Sequence, residues 1–249
     1  MKRLCFLGNS HVAAVRLAIG EMQEYCVAKD VEIDVFGSQR NSLRAAEIKN
    51  GVVTSSSKFV RNNFQWTSGG MSELDIGRYD EIVVLAGLSL FSSAHYQANA
   101  EVPFVSSGLA DAILAHRVKE DWAINLAREI AQANRSVTVT HIGSPLISTQ
   151  SPRAKKFISS YHEVGSEFGV RAKQLKTLIT QKVAALGESN FRFSPPPSAA
   201  LEDSGFFTEH VYCQGSVLFT PEANEEHKRD DFSHMNAKYG RLVVEHVLS

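Results

Sequence analysis

The sequence predicts an α/β fold, a parallel sheet covered on both faces by helices, and three observations predict it. Short apolar runs alternate with stretches of ten or more residues that have helical period, the pattern of βαβ units. The run Ile82-Val83-Val84-Leu85-Ala86 is almost continuously apolar and ends at Gly87, as expected of a strand buried on both faces of a parallel sheet. The first and third predicted strands run straight into a glycine, a residue that permits the sharp turn out of a strand.

In chain order, Arg3 to Leu7 reads as the first strand, followed by Gly8-Asn9-Ser10. Val12, Val15, Ile19, Met22 and Cys26 then recur every three or four residues, the period of a helix with one buried face. Val31 to Phe36 alternates and is β-branched, a second strand. Residues 37–78 are rich in Ser, Asn and Gly and read as loops with short elements. After the strand at Ile82–Ala86, the residues Trp122, Ile124, Leu126, Ala127 and Ile130 form the apolar side of a helix over Asp121–Ala133. Val137 to Ile142 is the next strand, closed by Gly143-Ser144-Pro145. A long helix covers Pro152 to Leu186, interrupted near Gly165 and Gly169. Phe191 to Phe193 is a short strand before Pro195-Pro196-Pro197. A loop-rich stretch follows, and then a last helix over Asn236–Val247. No repeat, low-complexity linker or composition shift divides the chain, so residues 1–249 read as a single domain.

Composition limits the function classes. The 249 residues carry 26 Lys+Arg against 27 Asp+Glu, a net charge of −1, with 43% apolar and 21% charged residues. That is ordinary globular composition, able to bury a core. The balanced charge lacks the basic footprint of a nucleic-acid binder. No run of about 18 apolar residues predicts a transmembrane helix. Met1-Lys2-Arg3 precedes only four apolar residues, too few for a secretory core. Three cysteines, Cys5, Cys26 and Cys213, are odd in number and lack metal-ligand spacing, which fits a reduced compartment. A cytoplasmic protein without membrane or nucleic-acid partners is expected; the oligomeric state is left open.

Two short motifs carry chemistry. Gly8-Asn9-Ser10-His11 lies at the carboxyl end of the first strand, the edge where open α/β sheets bind ligands. A serine there, beside free N–H groups and the positive end of a helix dipole, can act as a nucleophile whose oxyanion is stabilised; the plainer role for Ser10 is to cap the helix. Near the other end of the chain, Asp231-Phe232-Ser233-His234 has the i, i+3 spacing that lets a carboxylate hold an imidazole Nδ1–H and leave Nε2 as a base. Asp230 competes for the carboxylate role, and an exposed acidic turn is the plainer reading.

Taken together, the two motifs in this order resemble the SGNH/GDSL hydrolases, a superfamily of esterases, lipases and carbohydrate deacetylases. The resemblance implies a flavodoxin-like three-layer α/β/α sandwich with a central parallel sheet. It implies Ser10 as nucleophile, His234 as base and Asp231 as the group orienting it. It puts the oxyanion hole at the backbone N–H of Ser10, the N–H of a glycine in Thr67-Ser68-Gly69-Gly70-Met71 (Gly70 in preference to Gly69), and the position after Gly87-Leu88. Ser89 stands at that last position instead of the family's asparagine, and Asn9 replaces its usual aspartate. Asn236 and Tyr239-Gly240 match the usual continuation after the histidine.

Other residues are weaker candidates. His11 faces the rim beside Ser10 and, with Gly87, is a candidate substrate contact. His141 ends a buried strand and reads as a core histidine. Trp66, Phe206, Phe207 and Tyr212 either stack on a sugar or pack in the core. His210, His227 and His234 with Asp230 or Asp231 match no recognised ligand spacing, so no metal is expected, and the chemistry requires no organic cofactor. The expected activity is hydrolysis of an acyl ester, a short acyl group on a carbohydrate or other polar alcohol. The alternatives are acyl transfer by the same triad, since an acyl-enzyme can be resolved by either nucleophile, or a weakly active module binding a glycan or protein partner.

Overall fold

The computed structural model describes residues 1–88, 107–163, 168–221, 225–228 and 230–249. Its elements run β1 (Lys2–Gly8), α1 (Val12–Glu21), α2 (Gln23–Ala28), β2 (Val31–Gly37), β3 (Ala46–Lys49), β4 (Val52–Ser55), α3 (Lys58–Thr67), β5 (Leu74–Asp75) and β6 (Glu81–Leu85). They continue with α4 (Ser107–Glu120), α5 (Trp122–Ala133), β7 (Thr138–Ile142), α6 (Pro152–Glu163), α7 (Phe168–Ala184), β8 (Phe191–Ser194) and α8 (Ala237–Leu248). Five strands form one sheet in the order β2-β1-β6-β7-β8, and every pairing in it is parallel. Helices cover both faces, so the chain is a three-layer α/β/α sandwich of flavodoxin-like strand order.

Alternation along β1 builds the two halves of the core. Leu4 and Phe6 point to the face covered by α1 and α8, where they meet Val15, Tyr239 and Val243. Cys5 and Leu7 point to the other face, among residues of α3, α5 and α7 such as Phe64, Ile124 and Ile179. Each Leu or Phe fully buried here contributes about 1.5–3 kcal/mol relative to exposure. Gly240, on α8, lies directly on the backbone of α1: a Cβ there would run into the Ala14 carbonyl and crowd the Val15 nitrogen. Cys5, Cys26 and Cys213 are free and buried. No described helix is long and apolar enough to cross a membrane.

The structure corrects two expectations. The first helix is two, α1 and α2, divided at Met22, whose φ of −107° and ψ of 19° leave the helical region. Residues 37–78 hold more order than their composition suggests: a three-stranded antiparallel sheet, β3-β4-β5, and the ten-residue helix α3. Its buried side is half polar, Val60, Asn63, Phe64 and Thr67, and hydrogen bonds satisfy the polar half. Asn63 Nδ2 donates to Ser38 Oγ at 3.2 Å, and Thr67 Oγ1 accepts from the Gly37 N–H at 3.0 Å. The long helix is described as α6 and α7; the interruption expected near Gly165 falls on residues outside the described ones, and Gly169 lies within α7.

At the sheet edge away from the strands' carboxyl ends, the buried Glu81 accepts from Lys2 Nζ at 2.8 Å, Thr140 Oγ1 at 2.8 Å and Arg192 Nη2 at 3.1 Å. Burial pushes its carboxyl up, but these donors and the two cations outweigh it and hold it below its ordinary value. Its stabilisation is therefore complete above the unfolded-chain value of about 4.3 and drains away as pH falls through the folded one. Glu81→Gln should cost about 1–3 kcal/mol at pH 7. Urea melts at pH 7 and pH 3 check this, with the variant and parent converging at the acid end.

Candidate active site

The Ser10 turn is formed by close packing. A Cβ at Gly8 would run into the Leu85 carbonyl oxygen and the Val12 side chain, so only glycine lets β1 leave the sheet beside β6. Asn9 closes the turn ahead of α1, whose N-cap residue is His11 with no side-chain cap hydrogen bond. The Asn9 carbonyl accepts from the Val12 N–H at 3.1 Å, and Asn9 Oδ1 accepts from the His11 N–H at 3.2 Å. Ser10 does not cap α1; its Oγ lies 3.1 Å from His234 Nε2.

Asp231 and His234 sit in the turn ahead of α8. Asp231 Oδ1 accepts from the Ser233 N–H at 2.9 Å, the Ser233 hydroxyl at 2.9 Å and the His234 N–H at 3.0 Å. Its Oδ2 lies 2.8 Å from His234 Nδ1. Burial pushes this carboxyl up, but the Ser233 N–H and the ring and backbone of His234 outweigh it, leaving Asp231 well below the usual carboxylate range. The neighbouring Asp230 is exposed. Ser10, His234 and Asp231 thus form one continuous chain of hydrogen bonds.

The turn is anchored from behind. Asn236 Nδ2 donates to the Val211 carbonyl at 2.9 Å and the Gln214 carbonyl at 2.8 Å, while its Oδ1 caps α8 by accepting from the Tyr239 N–H at 3.2 Å. Phe232 is tied to the loop after β7, its carbonyl accepting from the Ser148 N–H at 3.2 Å. Asn236→Ala removes the cap and orphans two carbonyls. It should lower stability by about 2–3 kcal/mol, read as a drop in Tm.

Two more histidines flank His234. His227 stacks on it, ring centroids 4.1 Å apart and planes 11° from parallel, with its Nδ1 3.2 Å from the same Asp231 Oδ2. Burial, then the proximity of His234, push His227 down, and Asp231 opposes them. His11 sits 5.4 Å away across a tilted ring contact. Burial, reinforced by His234, pushes it down to about 3, so it is neutral at pH 7. Among the described residues, His227 Nε2 and His11 Nδ1 are shielded from solvent without a hydrogen-bond partner.

At Asn9, the residue before Ser10, a cavity of about 490 Å³ opens, lined also by Asn41, Arg44, Gly87, Leu88, Asp121 and Ser144 among others. Gly87 lines this cavity with φ of +69° and no room for a Cβ beside Asp121 and Ala123. Gly70 does not meet its expectation: its N–H donates at 2.7 Å to the Gln65 carbonyl. Gly69 and Gly70, with φ of +75° and +136°, end α3, and the N–H expected at an oxyanion serves that end. Beyond the carboxyl end of β2, Asn41 and Arg44 reach the cavity. Ser89 lies outside the described residues. Phe206 and Phe207 are buried against Phe157, Trp66 packs on Phe219 and under Arg16, and Tyr212 packs on Tyr239, so the four aromatics take the packing role. His141 is fully buried, its Nε2 2.9 Å from the Ala86 carbonyl.

No family model matches the chain, and no curated protein matches it in sequence. Among solved structures it is similar to a family two carbohydrate esterase from Clostridium thermocellum in complex with cellohexaose, with 10% identity and a TM-score of 0.40. That match covers 99% of this chain and 62% of the other, so the chain spans less than two thirds of its length. It is also similar to the lipase Lip_vut3 from a goat rumen metagenome, with 12% identity over 99% of this chain and 96% of that one and a TM-score of 0.46. A third is a catalytic mutant of Axe2, an acetylxylan esterase from Geobacillus stearothermophilus: 11% identity, 99% and 92% covered, TM-score 0.39.

Proposed function

We propose that the chain is a serine esterase in which Ser10 is the nucleophile, His234 the general base and Asp231 the group that orients it. The observation that carries this reading is the unbroken chain Ser10 Oγ–His234 Nε2 at 3.1 Å and His234 Nδ1–Asp231 Oδ2 at 2.8 Å. With Nδ1–H donated to Asp231, the neutral imidazole presents a lone pair at Nε2 to the Ser10 hydroxyl. Ser10 Oγ attacks the ester carbonyl as its proton passes to Nε2, and Asp231 stabilises the imidazolium. His234 then protonates the departing alkoxide, and water, deprotonated by the same nitrogen, hydrolyses the acyl-enzyme. The backbone N–H of Ser10, at the positive end of α1, is the first oxyanion donor.

The substrate is an ester of a short acyl group with a carbohydrate or other polar alcohol. Asn9, Asn41, Arg44 and Ser144 in the adjoining cavity support a polar alcohol over a long lipid chain. A fluorophosphonate probe tests the reading: one equivalent should label Ser10 and the label should vanish in Ser10→Ala. An unlabelled folded chain that also leaves small acetate esters intact would overturn it.

A further inference from the structure

We propose that His227, Asp231 and His234 form a zinc(II) site whose occupation switches the enzyme off. One donor atom from each residue lies within 4.8 Å of the other two. The Nδ1 atoms of both histidines converge on a single carboxylate oxygen, at 2.8 Å and 3.2 Å. Zinc bonds of about 2.0–2.1 Å in a tetrahedron put neighbouring donor atoms about 3.3 Å apart, close to the two separations already present. Placing one ion on both nitrogens tilts the rings out of their near-parallel stack, and water completes the fourth position. Two imidazoles and one carboxylate suit zinc, whereas magnesium and calcium require more oxygen donors.

An entry route is built in. A cavity of about 660 Å³ opens beside His227 and Asp231; its wall carries the carboxylates of Glu225, Glu226 and Asp230 as well as Arg153 and Lys228, an excess of negative charge that attracts cations. His227 and Asp231, two of the three donors, line this cavity directly.

The inhibitory half of this inference rests on the esterase reading; the binding half does not. With zinc on Nδ1, a neutral His234 carries its proton on Nε2, moved from Nδ1 by tautomer exchange with no net release. Nε2 then donates to Ser10 Oγ and has no lone pair with which to accept the hydroxyl proton, and Asp231 holds the metal in place of the ring.

Competition against a chromophoric zinc indicator tests binding in the full chain. One equivalent should bind to the wild type, and affinity should fall more than tenfold in His227→Gln and in Asp231→Asn. Cobalt(II) on the wild type should give the intense visible bands of a four-coordinate site, a readout that requires no variant to fold. Failure of the wild type to compete, or equal affinity in a folded His227→Gln, would overturn the site. Hydrolysis of a small acetate ester, each protein scaled to its own metal-free rate, should fall with the dissociation constant found by competition and return with EDTA. Zinc bound at these residues in a chain without esterase activity would leave the site standing and remove the esterase reading. Esterase activity unchanged at saturating zinc would overturn the inhibitory half alone.

Discussion

Ser10→Ala and His234→Ala should each lower kcat/KM for a small acetate ester by on the order of 10⁴–10⁶, and the double variant should lose almost nothing more. The non-additivity is the informative part. Ser10 Oγ and His234 Nε2 share one proton across 3.1 Å, so either alone is useless for the attack. Asp231→Asn should cost less, on the order of 10²–10⁴, because the base remains although its orientation and charge partner are lost. Asp230→Asn should leave the rate within a factor of about two, since that side chain is exposed and Asp231 occupies the ring. Additive losses in the double variant would mean that the two residues do not act on one proton.

The second large effect is expected far from any reacting atom. Gly240→Val puts a side chain against the Ala14 carbonyl and the Val15 nitrogen. These atoms belong to a helix backbone and cannot swing aside as a side chain would. The two helices must separate, at a cost of about 3 kcal/mol or more, seen as a lower urea midpoint. Ser10 leads into α1 and His234 into α8, so separation also pulls nucleophile from base; a displacement of about 1 Å costs on the order of 10² in rate. Gly20→Ala is the matched control. It lies in α1 with nothing within 4 Å of its Cβ, and should raise stability by about 0.5–1 kcal/mol while leaving the rate unchanged.

What could be read from the sequence divides along physical lines. The strands of the main sheet were legible because burial on both faces leaves continuous apolar runs, as in Ile82–Leu85. Helix α3 was not: its inward side includes Asn63 and Thr67, whose burial depends on Ser38 and Gly37 from another segment, and no periodicity count can see those partners. Asp231 and His234 were legible because i, i+3 spacing in one turn is nearly a local property. His227, four residues before Asp231, was visible as a neighbour but its stacking on His234 was not, and Asn41 was not legible, since it reaches the cavity through a loop that sequence spacing does not describe. Asn41 left one usable trace: it follows β2, whose parallel pairing with β1 puts both carboxyl ends on one edge. Gly70 misled because a glycine pair that ends a helix and a glycine that offers its N–H to a ligand look alike as letters.

The proton-sharing contact also joins positions 224 residues apart in the chain. Closing a loop of that length costs roughly 5 kcal/mol of chain entropy, and no local structure supplies it. It is met only when α8 docks on α1 and β1 is already seated between β2 and β6. On the proposed reading, activity is therefore a late product of folding: a nascent chain or fragment that lacks α8 keeps His234, which precedes that helix, but loses the packing of α8 on α1 that seats the imidazole against Ser10. Recovery of hydrolysis during refolding should lag behind recovery of helical signal, because the helices are local and the active site is not.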